Sequence, residues 1–181
     1  MTTDELFALM ESRGNGRYGL SAVSQLEHAL QSAALAAERG LGDEIVVAAL
    51  FHDLGRLLVG HDVDLASQGV DDVHEETGAS TLERLFGPGV AEPVRLHVAA
   101  KRYLCGVNPA YYDELSEDSR QSLALQSGPM TAGEIAAFDR LEHRAAALAL
   151  RLIDDEAKVA GLATPGLDRY REIARRIERR V

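Results

Sequence analysis

Apolar residues recur along this chain at spacings of three and four, the period of one helix face, and not in the strict alternation of a half-buried strand. In SAVSQLEHALQSAALAAERG, Val23, Leu26, Leu30, Ala33, Ala34 and Ala37 form such a stripe, and Gly40 supplies a stop. GDEIVVAALFHDLGRLLVG reads as one further helix, with Asp43 and Glu44 at the positive end of its dipole and Gly60 after its last turn. MTAGEIAAF carries a capping box, Thr131 with Glu134. ATPGLDRYREIARRIERR predicts a helix with Thr164 as N-cap, Pro165 at its first position and arginines at its C-terminal end. Strand patterns, internal repeats and low-complexity segments are absent. The expected fold class is all-α, a helical bundle of about seven to nine helices in a single domain over residues 1–181.

Loops are expected where Gly, Pro and Asn punctuate the periodicity: GRYGL, GHDVDLASQGVDD, FGPGVAEP, CGVNPAYYDELS and LQSGPM. The polar stretch 60–72 is long enough for a surface loop or lid. None of these segments reads as a domain linker.

Composition narrows the function classes. With 181 residues and 46% hydrophobic content, the chain can bury one well-packed core. A net charge of -10 repels phosphates at long range, which argues against nucleic acid and against an anionic membrane surface as partners. A phosphate-bearing small molecule must then be captured by local cations. Cys105 is the one cysteine, so no internal disulfide forms. With no leader pattern and no bilayer-length apolar run, a cytoplasmic location is expected.

The candidate chemistry lies in six histidines, at positions 28, 52, 61, 74, 97 and 143. His28, His52, His74 and His97 fall in predicted helices among apolar neighbours, and LFHDLGRLL places His52 and Asp53 side by side inside a buried run. One such histidine is most often a satisfied core residue; four with adjacent carboxylates suit iron, manganese, nickel or zinc. Adjacent residues point about 100° apart on a helix, so His52 and Asp53 can serve two ions with Asp53 bridging. A metal then offsets the cost of burying two ionisable groups. The bland alternative is a structural His52–Asp53 hydrogen-bonded pair. His61 and His143 match no ligand pattern and are expected to be exposed or capping.

The order His28, His52-Asp53 and a distant aspartate near Asp154 resembles the HD-domain superfamily of helical metallohydrolases. His74 and His97, between the HD pair and that aspartate, resemble its diiron oxygenase branch. YGLSAVSQLEH, LFHDLGR, HEETGA, EPVRLHVAAKRYLC, LALQSGPM and RLIDDEAKV are similar to motifs of the phosphonate-degrading members and cover most of the chain.

The resemblance implies one iron on His28, His52, Asp53 and Asp154 and a second on Asp53, His74 and His97, with Asp155 as the fallback for Asp154. It implies that Lys101, Arg151, Ser122 and Gln126 meet the phosphonate and that Tyr18 gates the open iron position. Lys101 and Arg151 share helix faces with His97 and Asp154 by their spacing. Two positions depart from the family: Ser21 stands where an acid meets the substrate's amine, and Arg56 where a histidine lies near the phosphonate. Losing the acid weakens a primary ammonium substrate, and gaining an arginine favours an anionic head group. A substituted substrate such as a trimethylammonio compound, faced by Tyr103, Tyr111 or Tyr112, is one alternative.

The implied activity is that of a mixed-valent Fe(II)/Fe(III) enzyme using O2 to cleave the carbon–phosphorus bond of a 1-hydroxyphosphonate, such as 2-amino-1-hydroxyethylphosphonate. A 2-oxoglutarate-dependent hydroxylase is the implied upstream enzyme. A one-metal HD phosphohydrolase acting on a nucleotide or other phosphomonoester is the competing reading, and His74 and His97 count against it. A non-catalytic helical binding module is the third.

Overall fold

The structure, a computed structural model, describes residues 1–16, 18, 22–59 and 72–179. Eleven helices, more than the roughly seven to nine expected, and no strand occur among these residues, and the all-α class is as expected. In chain order they are α1 (Thr3–Arg13), α2 (Gln25–Glu38), α3 (Asp43–Phe51), α4 (Leu54–Val59), α5 (His74–Phe86), α6 (Pro88–Val107), α7 (Pro109–Glu114), α8 (Glu117–Leu125), α9 (Ala132–Phe138), α10 (Arg144–Glu156) and α11 (Leu167–Ile177).

The architecture is built around α3. Every residue from Val46 to Phe51 is buried, so this helix is apolar on all sides, and it touches α2, α6, α10 and α11. The main core joins Val46–Leu50, Phe51 and Leu54 to Leu6, Phe7, Leu82, Val94, Leu150, Ile153 and Tyr170. Two smaller apolar groups flank it, one around Cys105, Tyr111 and Leu123 and one around Ala100, Phe138 and Ala147.

Local signals explain most boundaries. Capping boxes start α2 (Ser24 with Glu27) and α9 (Thr131 with Glu134). Gly40 follows α2 with φ +65°, a left-handed value glycine adopts without strain.

Four expectations need correction. The run Asp43–Val59 is two helices, α3 and α4, separated by a turn at His52 and Asp53. FGPGVAEP is not a loop: Pro88 occupies the first turn of α6, where its missing N–H costs nothing, and the helix continues through Pro93. CGVNPAYYDELS contains the end of α6 and α7, started by Asn108, whose side chain accepts from the Ala110 N–H. The last helix begins at Leu167 after Gly166, not at Pro165.

Candidate metal centre

The turn between α3 and α4 is the hub. His28 faces inward from the first turns of α2, His74 opens α5, His97 lies midway along α6, and Asp154 sits near the end of α10. All four are buried, as is His52. Two glycines let α5 approach the hub: a β-carbon on Gly55 would meet the carbonyl group of His74, with its carbon at 2.7 Å, and one on Gly78 would come to 3.2 Å from the Gly55 nitrogen.

These side chains form two groups, His28–His52–Asp154 and Asp53–His74–His97, each with ligand atoms within 4.8 Å of one another. In three of the four imidazoles Nδ1–H donates to a backbone carbonyl: His28 to Ala157 at 2.8 Å, His52 to Ala49 at 2.8 Å and His97 to Val94 at 2.7 Å. The fourth, His74, donates Nδ1–H to Asp72 Oδ1 at 2.6 Å. Because a carbonyl only accepts, these bonds leave Nε2 of each neutral ring as a lone pair.

Yet the Nε2 atoms lie 3.0 Å apart in His28–His52 and 3.3 Å apart in His74–His97. Two lone pairs at that distance repel unless a cation or proton sits between them. The carboxylates complete the picture. Asp154 Oδ1 is 3.3 Å from His28 Nε2 and 3.7 Å from His52 Nε2. Asp53 turns one oxygen to each group: Oδ1 lies 3.0 Å from His74 Nε2, and Oδ2 lies 3.6 Å from His52 Nε2 and 4.0 Å from His28 Nε2. That Oδ2 is buried and accepts no hydrogen bond among the described residues. The donor set therefore fits two neighbouring metal ions of the imidazole- and carboxylate-binding kind.

Electrostatics agree. Burial alone would raise the Asp53 carboxyl, but His52, Arg56 and His74 hold it well below the usual range; Arg151 and Lys158 do the same for Asp154. Both are ionised and ready to ligate. Burial and the neighbouring His74 and His52 push His97 down to about 3, and burial lowers His28. In His52 and His74 burial is outweighed by the facing carboxylates, and His74 rises to about 9. A metal ion and a proton compete for these same nitrogens.

Beside the two groups lies a cavity of about 60 Å³. Its wall includes the expected Tyr18, Arg56, Lys101, Ser122, Gln126 and Arg151. Lys101 Nζ donates to Ser122 Oγ at 2.7 Å, and burial with the nearby Arg151 lowers its pKa to about 7. Tyr18 stacks on His28, ring centroids 4.0 Å apart, with its hydroxyl 3.5 Å from Asp154 Oδ1. Arg151 spends its guanidinium within the wall, donating to Asp154 Oδ2 at 2.6 Å, to Asp155 and to Ser119. Asp155 is held by Arg151 and Tyr111, which leaves Asp154 as the carboxylate facing the histidines.

The suggested aromatic face for a quaternary ammonium is not formed: Tyr103, Tyr111 and Tyr112 do not line the cavity. Tyr103 instead bonds Asp139, and Tyr111 bonds Asp155. His143 occupies the N-cap of α10 without a capping bond, outside both groups. Ser21, His61 and most of the expected 60–72 lid lie outside the described residues. Sequence reasoning missed Asp72, Ser119 and Lys158. Lys158 was detectable, since it falls one helical turn after Asp154; its Nζ is 3.5 Å from Asp154 Oδ1.

Fold and site together describe a helical protein with two adjacent histidine–carboxylate groups that could hold metal ions and a cation-lined cavity. The HD domain family matches residues 26–163, and the chain belongs to that family. It is 46% identical to the hydroxymethylphosphonate dioxygenase of Gimesia maris over 91% of this chain and 82% of that protein. It is 40% identical to the [1-hydroxy-2-(trimethylamino)ethyl]phosphonate dioxygenase (glycine-betaine-forming) of Leisingera caerulea, over 87% of this chain and 80% of that protein. No helix among the described residues is long and apolar enough to cross a membrane.

Proposed function

We propose that this protein is a diiron dioxygenase that cleaves the carbon–phosphorus bond of a small 1-hydroxyphosphonate. The observation that carries the reading is Asp53, one oxygen toward each of two buried imidazole pairs whose lone pairs face one another. A one-metal phosphohydrolase would leave His74, His97 and Asp53 Oδ1 without a purpose. The names of the two relatives support the substrate class, and the cavity cations Arg56, Lys101 and Lys158 support an anionic head group in a chain of net charge -10.

His28, His52, Asp53 and Asp154 would hold one iron, and Asp53, His74 and His97 the other. When bound, the ions would supply Lewis acidity and a path for electrons from the substrate to O2. In the balanced reaction, the R–CH(OH)–PO3 dianion and O2 give the R–COO anion, the HPO4 dianion and one proton: the C–H and C–P bonds break, carbon and phosphorus each gain one oxygen, and the substrate supplies the four electrons that reduce O2.

The protein's own groups prepare this step. Lys101, steadied by Ser122, and Arg56 draw the phosphonate oxygens to one side of the cavity and meet the charge that develops on the departing phosphate. Gln126 offers a further donor. Arg151 keeps Asp154 in place, so its part is orientation of a ligand as much as contact with substrate. Tyr18, stacked on His28, covers the first group until substrate displaces it.

Hydroxymethylphosphonate is preferred over the trimethylammonio compound, because the relative named for it is the more similar of the two, 46% against 40% identical, and Tyr103, Tyr111 and Tyr112 do not line the cavity. The C1 hydroxyl calls for an upstream hydroxylase, for which the 2-oxoglutarate-dependent class is suited. A reducing cytoplasm fits a chain whose one cysteine is free.

The test is phosphate release by iron-loaded protein from hydroxymethylphosphonate, 2-amino-1-hydroxyethylphosphonate and the trimethylammonio analogue, with and without O2, while O2 uptake is followed. Equal amounts of O2 consumed and phosphate released, greatest for the first compound, are expected. Oxygen-independent release from phosphate esters alone would establish the phosphohydrolase instead.

A further inference from the structure

Three of the four buried imidazoles donate Nδ1–H to a neutral backbone carbonyl, and His74 alone donates to a carboxylate, Asp72. The arrangement is braced. Arg56 Nη1 lies 3.4 Å from Asp72 Oδ2, and Arg56 Nε lies 3.5 Å from Asp53 Oδ1, so one guanidinium ties the carboxylate behind His74 to the carboxylate in front of it. Asp72 is itself mostly buried, with 17% of its side chain exposed.

We propose that Asp72 is a positioning residue that fixes His74 Nε2 toward Asp53 and strengthens His74 as a ligand of the Asp53–His74–His97 position. The physical reason is charge. A carbonyl partner orients an imidazole, whereas a carboxylate also pulls on the Nδ1 proton, pushes electron density to Nε2 and raises the ring's basicity as a ligand. The extra negative charge strengthens the hold on an ion at this position and lowers that ion's potential relative to a neutral partner behind His74. Among the described residues, His28, His52 and His97 have only neutral backbone carbonyls behind Nδ1.

The inference rests on the two-metal reading, and Asp72→Asn tests it: asparagine keeps an acceptor oxygen of the same size and removes only the charge. The full chain is titrated anaerobically with Fe(II), as wild type, Asp72→Asn and Asp72→Glu, and the midpoint potential of the loaded protein is then measured. Wild type should take up two ions per chain. Asp72→Asn should keep its first-ion affinity, lose about 10–100-fold at the second and shift to a higher potential, and Asp72→Glu should recover most of both. An Asp72→Asn protein with wild-type second-ion affinity and potential overturns the inference. Equal weakening at both positions also overturns it, since Asp72 faces only one group. Fewer than two ions in the wild type overturns the two-metal reading and this inference together.

Discussion

Asp53 is the residue on which both halves of the centre depend, because one carboxylate oxygen faces each imidazole pair. Asp53→Ala should empty both positions, while His97→Ala should empty only the second; iron per chain after anaerobic reconstitution distinguishes them. Activity in Asp53→Ala should fall beyond the roughly 10–100-fold typical of removing an outer partner. Lys101 gives a second expectation at this scale. Its pKa near 7 means that it is a cation below that pH and loses its charge above it. The free enzyme's kcat/KM should therefore decline as pH rises through about 7, and Lys101→Arg, which stays charged, should remove that limb from the profile while leaving the substrate's own ionisation visible. Individual residues were legible unevenly. The histidines stood out because they interrupt apolar runs, whereas Arg151 and Asp154 were legible through the family resemblance, whose arginine-to-ligand spacing they match. Asp72 gave no signal: it sits in a polar stretch, and its role exists only because α5 starts two residues later and folds His74 back onto it.

At the scale of elements, the second position depends on how α4 and α5 meet. They cross through Gly55 and Gly78, and any β-carbon on Gly55 collides with the His74 backbone. Gly55→Ala should cost about 1–3 kcal/mol through overpacking, lower Tm by several degrees and weaken metal binding at the second position more than at the first. The residue between Asp72 and His74 is strained as well: Val73 has φ 46° and ψ 36°, a left-handed conformation that a β-branched side chain resists. Val73→Gly should relieve up to about 1 kcal/mol of that strain, visible as a higher Tm with activity retained. Caps and periodicity made α2 and α9 readable in advance. The break between α3 and α4 was not, because the apolar period runs straight through His52 and Asp53 with no proline or preceding glycine to mark a turn. The chain leaves the helix there with both side chains turned to the two ligand groups.

For the whole molecule, the two ligand groups gather residues from α2, the α3–α4 turn, α5, α6 and α10, segments separated by up to 126 positions between His28 and Asp154. Periodicity could place each on a helix face, but no local pattern could say that five faces converge; the resemblance to the HD family supplied that, and the packing of α3 at the centre explains it. Convergence has a thermodynamic consequence. In the unfolded chain these ligands are far apart, so ions that bind only the assembled centre stabilise the fold by mass action, about 2.7 kcal/mol for a site when free metal is a hundredfold above Kd. At about 2–4 °C per kcal/mol for a chain of this size, each occupied site should raise Tm by about 5–11 °C over chelator-treated protein. Differential scanning calorimetry of the wild type and of Asp53→Ala, each with chelator and with Fe(II) under anaerobic conditions, checks this. The wild type should show the rise and the variant little of it, because without Asp53 neither imaginable pairing of the remaining imidazoles retains the shared carboxylate. A wild type whose Tm ignores metal would mean that the buried histidines are held by hydrogen bonds alone, and the repulsion between their facing lone pairs would then have to be relieved by protons.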